Sequence, residues 1–159
     1  MTDETTPPAA VLAIDGGNSK TDVALVAADG RLLARAVGPG APAPTVGMDT
    51  TIRVLGGLVA RAATEAGLAA GGDRPLALHT AAYLAGVDIP AEQAAMDAAL
   101  RAQRWSLTAG VDNDTFAIFR AGTTKQWGVG IVAGAGINAV GIGPDGRIME
   151  WLEPYKEPE

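Results

Sequence analysis

The stretch Ile14–Leu25, IDGGNSKTDVAL, places two glycines and four polar residues between two acidic ones. An apolar run precedes it and an alternating run follows it, which predicts two strands joined by a tight turn. Because glycine lacks a Cβ, several backbone N–H groups of such a turn can point at one anion. The stretch therefore predicts either a polar hairpin turn or a loop that holds a phosphate.

Two familiar phosphate loops do not fit this stretch. The P-loop has glycine directly before its lysine, whereas Ser19 precedes Lys20 here. The P-loop and the dinucleotide-binding loop both open a helix, whereas an alternating strand follows here. What remains is a β-hairpin phosphate loop that follows an aspartate, Asp15.

A second glycine-rich turn, GAGIN at Gly134–Asn138, lies in a similar setting. In both units an apolar strand, a glycine turn and an alternating strand lead to an Asp-Gly-Arg triplet and a third strand. The triplets are Asp29–Arg31 and Asp145–Arg147. Their similar spacing favours a duplicated β-meander over two unrelated hairpins. Two such turns facing each other could hold one polyphosphate from both sides.

Candidate helices and strands alternate between the two meanders. The segment Gly38–Pro44 predicts an irregular loop, because proline and glycine occupy most of it. A helix follows from Met48–Thr51, with Asp49 or Thr50 as its cap. A strand around Leu76–Thr80, a helix from Pro90 and a strand before residue 112 come next. The predicted buried face of the first helix comprises Ile52, Leu55, Val59, Ala62 and Ala66.

The triplet Asp112–Asp114 lies between that last strand and a short helix that Gly122 closes. A carboxylate placed there can orient a reacting hydroxyl and accept its proton. Aspartate is also a preferred N-cap residue, so a structural role for Asp114 stays open beside the chemical one. His79, within an apolar strand, is predicted to be hydrogen-bonded rather than catalytic.

Composition excludes several classes of function. The chain of 159 residues has a net charge of −6 and no cluster of basic residues, so nucleic acid or an anionic membrane is not expected as a partner. It has no cysteine, which excludes disulfides and iron–sulfur clusters. The segment Gln126–Pro144 carries no charge, but its six glycines and Asn138 predict buried strands rather than a membrane helix. The start of the chain lacks a basic signal region, which predicts a cytoplasmic protein.

Three segments in order carry a family resemblance: IDGGNSKTDVALVAADG, VDNDTFAIFRAG and VAGAGINAVGIGPDGR. Together they resemble the N-acetylglucosamine kinase branch of the BadF/BadG/BcrA/BcrD ATPase family, within the actin, sugar kinase and heat-shock chaperone ATPase superfamily. The resemblance covers roughly Val11–Arg147. It implies an α/β protein whose ribonuclease H-like (actin-like ATPase) N-terminal lobe has a mixed sheet flanked by helices, followed by the first β-meander of a second lobe.

The resemblance also implies a reaction, the ATP-dependent phosphorylation of N-acetylglucosamine or a related amino sugar. Asp114 would be the catalytic base, with Asp112 or Asn113 as alternatives if the register shifts. Asp15 would face Mg²⁺ through water, and Lys20 would add positive charge beside the transferred phosphate. The loop that contacts the phosphates of ATP would comprise Asp15, Gly16, Gly17, Asn18, Ser19, Lys20 and Thr21.

The second glycine turn would hold phosphate from the other lobe. Gly134, Ala135 and Gly136 would use backbone N–H groups alone, because the family's usual hydroxyl residue is absent from positions 135 and 137. The small-molecule sugar would be contacted by Thr45 and Asn138 together with Asp114.

The resemblance divides the chain and bears on its activity. Residues 1–9 would be a disordered lead, 10–123 the N-terminal lobe, 124–150 the start of a second lobe and 151–159 an exposed tail. Because the family implies a chain about twice this length, the alternative is a truncated, inactive fragment that keeps the fold or a partner-binding role. The last strands would have unprotected edges and could form a homodimer. A dehydratase-activating ATPase of the same family would need cysteines for its iron–sulfur cluster, and this chain has none.

Overall fold

The computed structural model describes residues 7–68, 74–133 and 137–152. A five-stranded sheet has the order β3-β2-β1-β4-β5. The first three strands form an antiparallel meander, and β4 and β5 run parallel to β1. The predicted α/β fold with a mixed sheet flanked by helices is confirmed. The five strands are β1 (Ala9–Gly16), β2 (Lys20–Val26), β3 (Leu32–Pro39), β4 (Ala77–Leu84) and β5 (Ser106–Asn113).

Four helices accompany the sheet: α1 (Ala43–Val46), α2 (Met48–Glu65), α3 (Pro90–Ala102) and α4 (Thr115–Gly122). Helices α2 and α3 pack against one face of the sheet, where the alternating residues of β1 and β2 form the core. Leu12, Ile14, Val23 and Leu25 are each at most 1% exposed there. The alternate, buried residues of the strands therefore pack against the apolar stripe of α2 on this face.

The predicted buried face of α2 is partly correct. Leu55, Val59 and Ala62 are buried, but Ile52 and Ala66 lie only at the margin of the core. Leu58 and Thr51 are also buried. Thr51 can be buried because its hydroxyl donates a hydrogen bond to the carbonyl of Ala41 at 2.8 Å. The buried stripe is therefore broader than the predicted one.

Helix α2 begins at Met48, as predicted, but its N-cap differs from the predicted one. The N-cap is Gly47 with φ +82°, whereas Asp49 and Thr50 lie inside the helix. The cause is α1, which ends at the same glycine because the Gly47 N–H donates to the carbonyl of Ala43 at 2.9 Å. A left-handed φ favours glycine at the junction of the two helices.

The predicted irregular loop at Gly38–Pro44 is also partly wrong. Strand β3 continues to Pro39, and α1 begins at Ala43. Proline is tolerated at both places, because Pro39 ends an edge strand and Pro44 lies in the first turn of a helix.

A second, three-stranded sheet has the order β6-β7-β8, with β6 (Gly128–Ala133), β7 (Ile137–Ile142) and β8 (Ile148–Leu152). Helix α4 covers one of its faces. Phe116 and Phe119 pack there with Val140, Ile142 and Tyr83 of β4. A Cβ on Gly130 would lie 3.1 Å from the Cβ of Phe119, so glycine permits this close approach.

The prediction that these last strands are buried is wrong for the other face. Val129 is 72% exposed and Met149 is 78% exposed. Trp127 and Trp151 are also about half exposed, whereas Trp105 packs against the main core. The apolar sequence predicted burial, but α4 lies on one side of the sheet and no described element lies on the other. In the described part of the chain, no helix is long and apolar enough to cross a membrane.

The two Asp-Gly-Arg turns have the same hydrogen bonds. The N–H of Ala27 donates to the carbonyl of Arg31 at 2.9 Å, and the N–H of Gly143 donates to that of Arg147 at 2.8 Å. In each turn the aspartate also accepts a bond from the arginine N–H two residues later. The central glycines have φ of +84° and +78°. This agreement supports the predicted duplication of the meander.

Candidate functional site

Three parallel strands end at one edge of the main sheet. Gly16 of β1 pairs with Leu84 of β4, which pairs with Asn113 of β5. Asp15 therefore lies at the same edge as Asp114, which directly follows β5. The loop after β4 adds a third carboxylate there, Asp88. Ligands of open α/β sheets bind beyond the carboxyl ends of such strands.

The Asp114 carboxylate combines burial with an unpaired oxygen. Its Oδ1 is buried and has no hydrogen-bond partner among the described residues. Burial raises the pKa of Asp114, and the charges of Asp15 and Asp88 raise it further, while two backbone N–H groups partly offset the rise. A carboxylate with a raised pKa and a free oxygen is suited to accept a proton near neutral pH.

The N-cap role that the sequence left open for Asp114 falls to its neighbour. Asp114 makes no side-chain cap hydrogen bond. The Oδ1 atom of Asn113 instead accepts the N–H of Thr115 at 2.9 Å and also its hydroxyl. The Nδ2 atom of Asn113 donates to Oδ1 of Asp88 at 2.7 Å. Asn113 is 3% exposed, so this side chain is directed into the fold. Asp114 is therefore not needed as the side-chain cap of α4.

The other alternative, Asp112, lies on the exposed side of β5. Its Oδ1 accepts a hydrogen bond from Nε2 of Gln93 at 2.8 Å. Partial loss of hydration raises the pKa of Asp112, and the charge of Arg120 opposes this. Asp112 is thus already hydrogen-bonded, whereas Asp114 retains a free oxygen.

The predicted phosphate loop is a tight hairpin turn between β1 and β2. The N–H of Gly17 donates to the carbonyl of Lys20 at 2.8 Å, which leaves Asn18 and Ser19 at the exposed tip. Gly16 and Thr21 are buried at its base, Thr21 with 1% exposure. The residues that a ligand could reach are therefore those at the tip, together with Lys20.

Lys20 does not stand alone on this face. Its Nζ lies 2.6 Å from Oδ2 of Asp22, and Nη2 of Arg35 lies 2.5 Å from Oδ1 of the same carboxylate. The hydrogen bond from Lys20 is the largest cause of a lowered pKa for Asp22. Loss of hydration and the charge of Asp22 raise the pKa of Asp15, whereas Lys20 lowers it. Lys20 thus lowers the pKa of two carboxylates beside the hairpin, Asp15 and Asp22.

These residues could bind Mg²⁺ only together with water and phosphate oxygens. Within the described ranges, no group of three His, Cys, Asp or Glu side chains is arranged to hold a metal ion. Mg²⁺ usually keeps several waters and binds one or two carboxylates together with substrate phosphates. Asp15 fits that manner of binding, with the remaining ligands coming from water and phosphate.

Gly40 is a site residue that the sequence analysis missed. A Cβ at this position would lie 2.6 Å from the carbonyl oxygen of Gly17 and closer still to that of Asn18. The hairpin turn therefore rests directly on Gly40. The glycine-rich segment around it predicts only a loop, because a contact between residues 22 positions apart has no local signal.

The predicted sugar contacts lie in different parts of the fold. Thr45 is exposed on α1, which packs against the loop after β4, since a Cβ on Gly86 would lie 2.6 Å from Cδ of Pro44. Asn138 is half-buried on β7, where it pairs with Val132. Gly134, Ala135 and Gly136 lie outside the described residues. His79 is hydrogen-bonded as expected, with Nδ1 2.9 Å from Oγ1 of Thr108.

No protein-family model matches this sequence, and no curated protein does. Several solved structures are similar, and two of them are of proteins bearing the name putative N-acetylglucosamine kinase. The one from Chromobacterium violaceum has a TM-score of 0.72 and 24% identity, over 93% of this chain and 51% of its own. The one from Porphyromonas gingivalis has a TM-score of 0.70 and 21% identity, over 91% and 48%. The chain spans about half the length of these proteins, and at this identity the likeness establishes the fold alone.

Proposed function

We propose that this protein is a carbohydrate kinase-like member of the BadF/BadG/BcrA/BcrD ATPase family, with a ribonuclease H-like first lobe. It would transfer a phosphoryl group from MgATP to a hydroxyl of N-acetylglucosamine or a related amino sugar. It would act in the cytoplasm, without nucleic acid or membrane partners. The observation that carries the proposal is the buried, unpaired Asp114 oxygen at the sheet edge that also carries the β1–β2 hairpin.

Each residue of the edge has a part in this proposal. Bound MgATP would supply the phosphoryl group and the charge that stabilises its transfer. The N–H groups at the tip of the hairpin and the Lys20 ammonium would bind phosphate oxygens. Asp114 would orient the sugar hydroxyl and accept its proton, for which its raised pKa is suited. As predicted from the sequence, the sugar would be contacted by Thr45 and Asn138, and phosphate by the turn Gly134–Gly136.

The fold comparison supports the proposal without deciding it. Both of the structures described above bear the name putative N-acetylglucosamine kinase, and each match extends over nearly all of this chain. Because the chain corresponds to about half of each, activity, substrate and cofactor are proposals for this protein. The specific alternative is an inactive protein that retains the fold or binds a partner. The exposed apolar face of the second sheet is the observation that favours that alternative.

Calorimetry with MgATP, followed by an ADP-release assay with N-acetylglucosamine, tests the proposal. Asp114→Asn removes the proton acceptor, and Asp112→Asn makes the same change two residues away as a matched control. We expect both variants to bind MgATP. Turnover should fall about 10²–10⁴-fold in Asp114→Asn and persist in Asp112→Asn.

The possible failures are distinct. Turnover that survives Asp114→Asn unchanged would remove Asp114 as the base. Absence of MgATP binding at millimolar concentration would overturn the kinase proposal for this chain and support the inactive alternative. The homodimer expected from the sequence stays a prediction, and sedimentation velocity of the chain tests it.

A further inference from the structure

Asp88 is joined to the start of α4 by one buried side chain. Its Oδ1 accepts a hydrogen bond from Nδ2 of Asn113 at 2.7 Å. At the other end of that side chain, Oδ1 of Asn113 accepts the N–H of Thr115 at 2.9 Å and also the Thr115 hydroxyl. Asp114 lies between these two residues and is the N-cap residue of α4. A chain of hydrogen bonds therefore runs from Asp88 to the first turn of the helix that begins at Asp114.

The partners of the Asn113 amide determine its orientation. The Thr115 N–H can only donate, so the amide oxygen must face it, and the amide nitrogen then faces Asp88. Asn113 is buried, so water does not replace either partner. Without an acceptor at position 88, a buried N–H group would be left unpaired, which is a costly arrangement. Rotation of the amide to pair that group would break the hydrogen bonds with Thr115.

Asp88 is itself held in place from α3. Oε2 of Glu92 accepts the N–H of Asp88 at 2.9 Å and the N–H of Ile89 at 3.2 Å. Ile89 is the N-cap residue of α3, so the bond to its N–H is the one that a capping box requires. The bond to the N–H of Asp88 is additional, and it fixes the backbone of the residue that accepts from Asn113. The acceptor is therefore anchored to α3.

The bond between Asp88 and Asn113 is not needed to hold strand β5. The end of β5 is already fixed by pairing with β4, in which Leu84 and Asn113 are partners. Helix α3 holds it as well, because Nε2 of Gln93 donates to the carbonyl of Val111 at 2.8 Å. What Asp88 adds is therefore control of the Asn113 side chain and, through it, of the first turn of α4.

We propose that Asp88 is a positioning residue for the reaction: it holds Asn113, and through it the start of α4, so that the unpaired oxygen of Asp114 keeps its place at the sheet edge. Asp88 touches neither the substrate nor the reacting atoms. It acts through its hydrogen bond, so a neutral acceptor of the same shape should serve in its place. The inference rests on the proposed function, because Asp114 is the base only if the protein is a kinase.

Three variants test the inference by kinetics with MgATP and N-acetylglucosamine. Asp88→Ala removes the acceptor, and Asp88→Asn keeps an acceptor oxygen without the charge. Asp97→Ala is the matched control, because Asp97 also lies beside this edge of the fold, on α3, but forms its ion pair with Arg101 at 2.6 Å.

The expected kinetic result separates placement from binding. In Asp88→Ala we expect kcat to fall about 10²-fold, since a displacement of a catalytic group near 1 Å costs about that much. KM for MgATP should stay unchanged, because the hairpin that would bind the phosphates does not contact Asp88. Asp88→Asn should restore most of the lost kcat, and Asp97→Ala should leave kcat unchanged.

NMR reports on the placement of Asp114 without requiring turnover. Three-bond couplings of its side chain should show one χ1 rotamer in the wild type, in Asp88→Asn and in Asp97→Ala. They should show averaging between rotamers in Asp88→Ala. A residue with only a structural role would lower Tm in Asp88→Ala without altering these couplings or kcat.

The outcomes distinguish this inference from the kinase proposal. Absence of turnover in the wild type would overturn the kinase proposal, and the couplings would still decide whether Asp88 places Asp114. Unchanged couplings in Asp88→Ala, or averaged couplings in the wild type, would overturn the inference. A loss of kcat that Asp88→Asn fails to restore would also overturn it, because the charge of Asp88 rather than its hydrogen bond would then be the cause.

Discussion

Replacing Gly40 by alanine tests whether the hairpin turn depends on its backbone support. The added Cβ would lie 2.6 Å from the carbonyl oxygen of Gly17 and closer still to that of Asn18, so it would need at least about 0.8 Å more to reach the 3.4 Å at which ordinary contact begins. Because the opposing atoms are backbone, the whole turn must retreat by about that distance. Overpacking of this kind costs about 1–3 kcal/mol of unfolding free energy, or roughly 2–4 °C in Tm per kcal/mol. If the turn holds phosphate, a displacement near 1 Å should lower kcat/KM about 10²-fold.

The assay is thermal unfolding by circular dichroism together with the amide chemical shifts of Asn18 and Ser19. Gly57→Ala is the matched control, because Gly57 is exposed within α2 and a Cβ there meets nothing within 4 Å. It should raise stability by about 0.5–1 kcal/mol through helix propensity and leave the turn unchanged. A Gly40→Ala protein with unaltered Tm and unaltered amide shifts would refute the close approach.

Three further substitutions test the site by thermal unfolding, and for the two aspartates Tm is measured against pH. The pKa of Asp114 is raised above its ordinary value near 3.8, so wild-type stability falls as pH rises from about 3.8 through the raised pKa. Asp114→Asn should therefore have a higher Tm than the wild type at pH 7 and the same Tm below about pH 3.8. A variant whose Tm equals that of the wild type at both pH values would refute this. The pKa of Asp22 is lowered, so its contribution is present at neutral pH and lost in acid; Asp22→Asn should lose about 1 kcal/mol at pH 7, and a difference that persists in acid would contradict the ion-pair explanation. Asn113→Ala should lose about 1–2 kcal/mol, because the cap hydrogen bond to the Thr115 N–H is lost, whereas Asn113→Ser keeps a cap oxygen and should lose less. An unchanged Tm in the alanine variant would show that this cap does not stabilise α4.

Much of the first meander could be predicted because its signals are local. Alternating residues and the Asp29-Gly30 turn are typical of β-hairpins, and the structure has the expected strands. The covering of the second meander could not be predicted in this way. The apolar residues of β6 and β8 predict a buried surface, but burial depends on a partner that strand sequence does not specify. The alternation of residues along a strand thus predicts which face is apolar, but it does not predict whether another element packs on that face.

The candidate site shows the same division. The sequence predicts where Asp15 and Asp114 lie, since each directly follows or ends a strand. It does not predict that Asn113 rather than Asp114 caps α4, because the two residues are adjacent and both are good caps. The contribution of Asp88 and the contact of Gly40 with the turn arise from tertiary packing between segments distant in the chain.

The grouping of carboxylates at the edge of the main sheet opposes stability. Asp15 and Asp88 both raise the pKa of Asp114, so ionisation of all three at neutral pH is unfavourable in the free protein. The fold itself does not require Asp114 to be charged, since Asn113 supplies the cap and the bridge to Asp88. Local features that lower stability without a structural return are typical of functional sites. A bound cation or a proton taken from a substrate would relieve the repulsion, which is why this edge, rather than the more exposed Asp112, is the place where chemistry is expected.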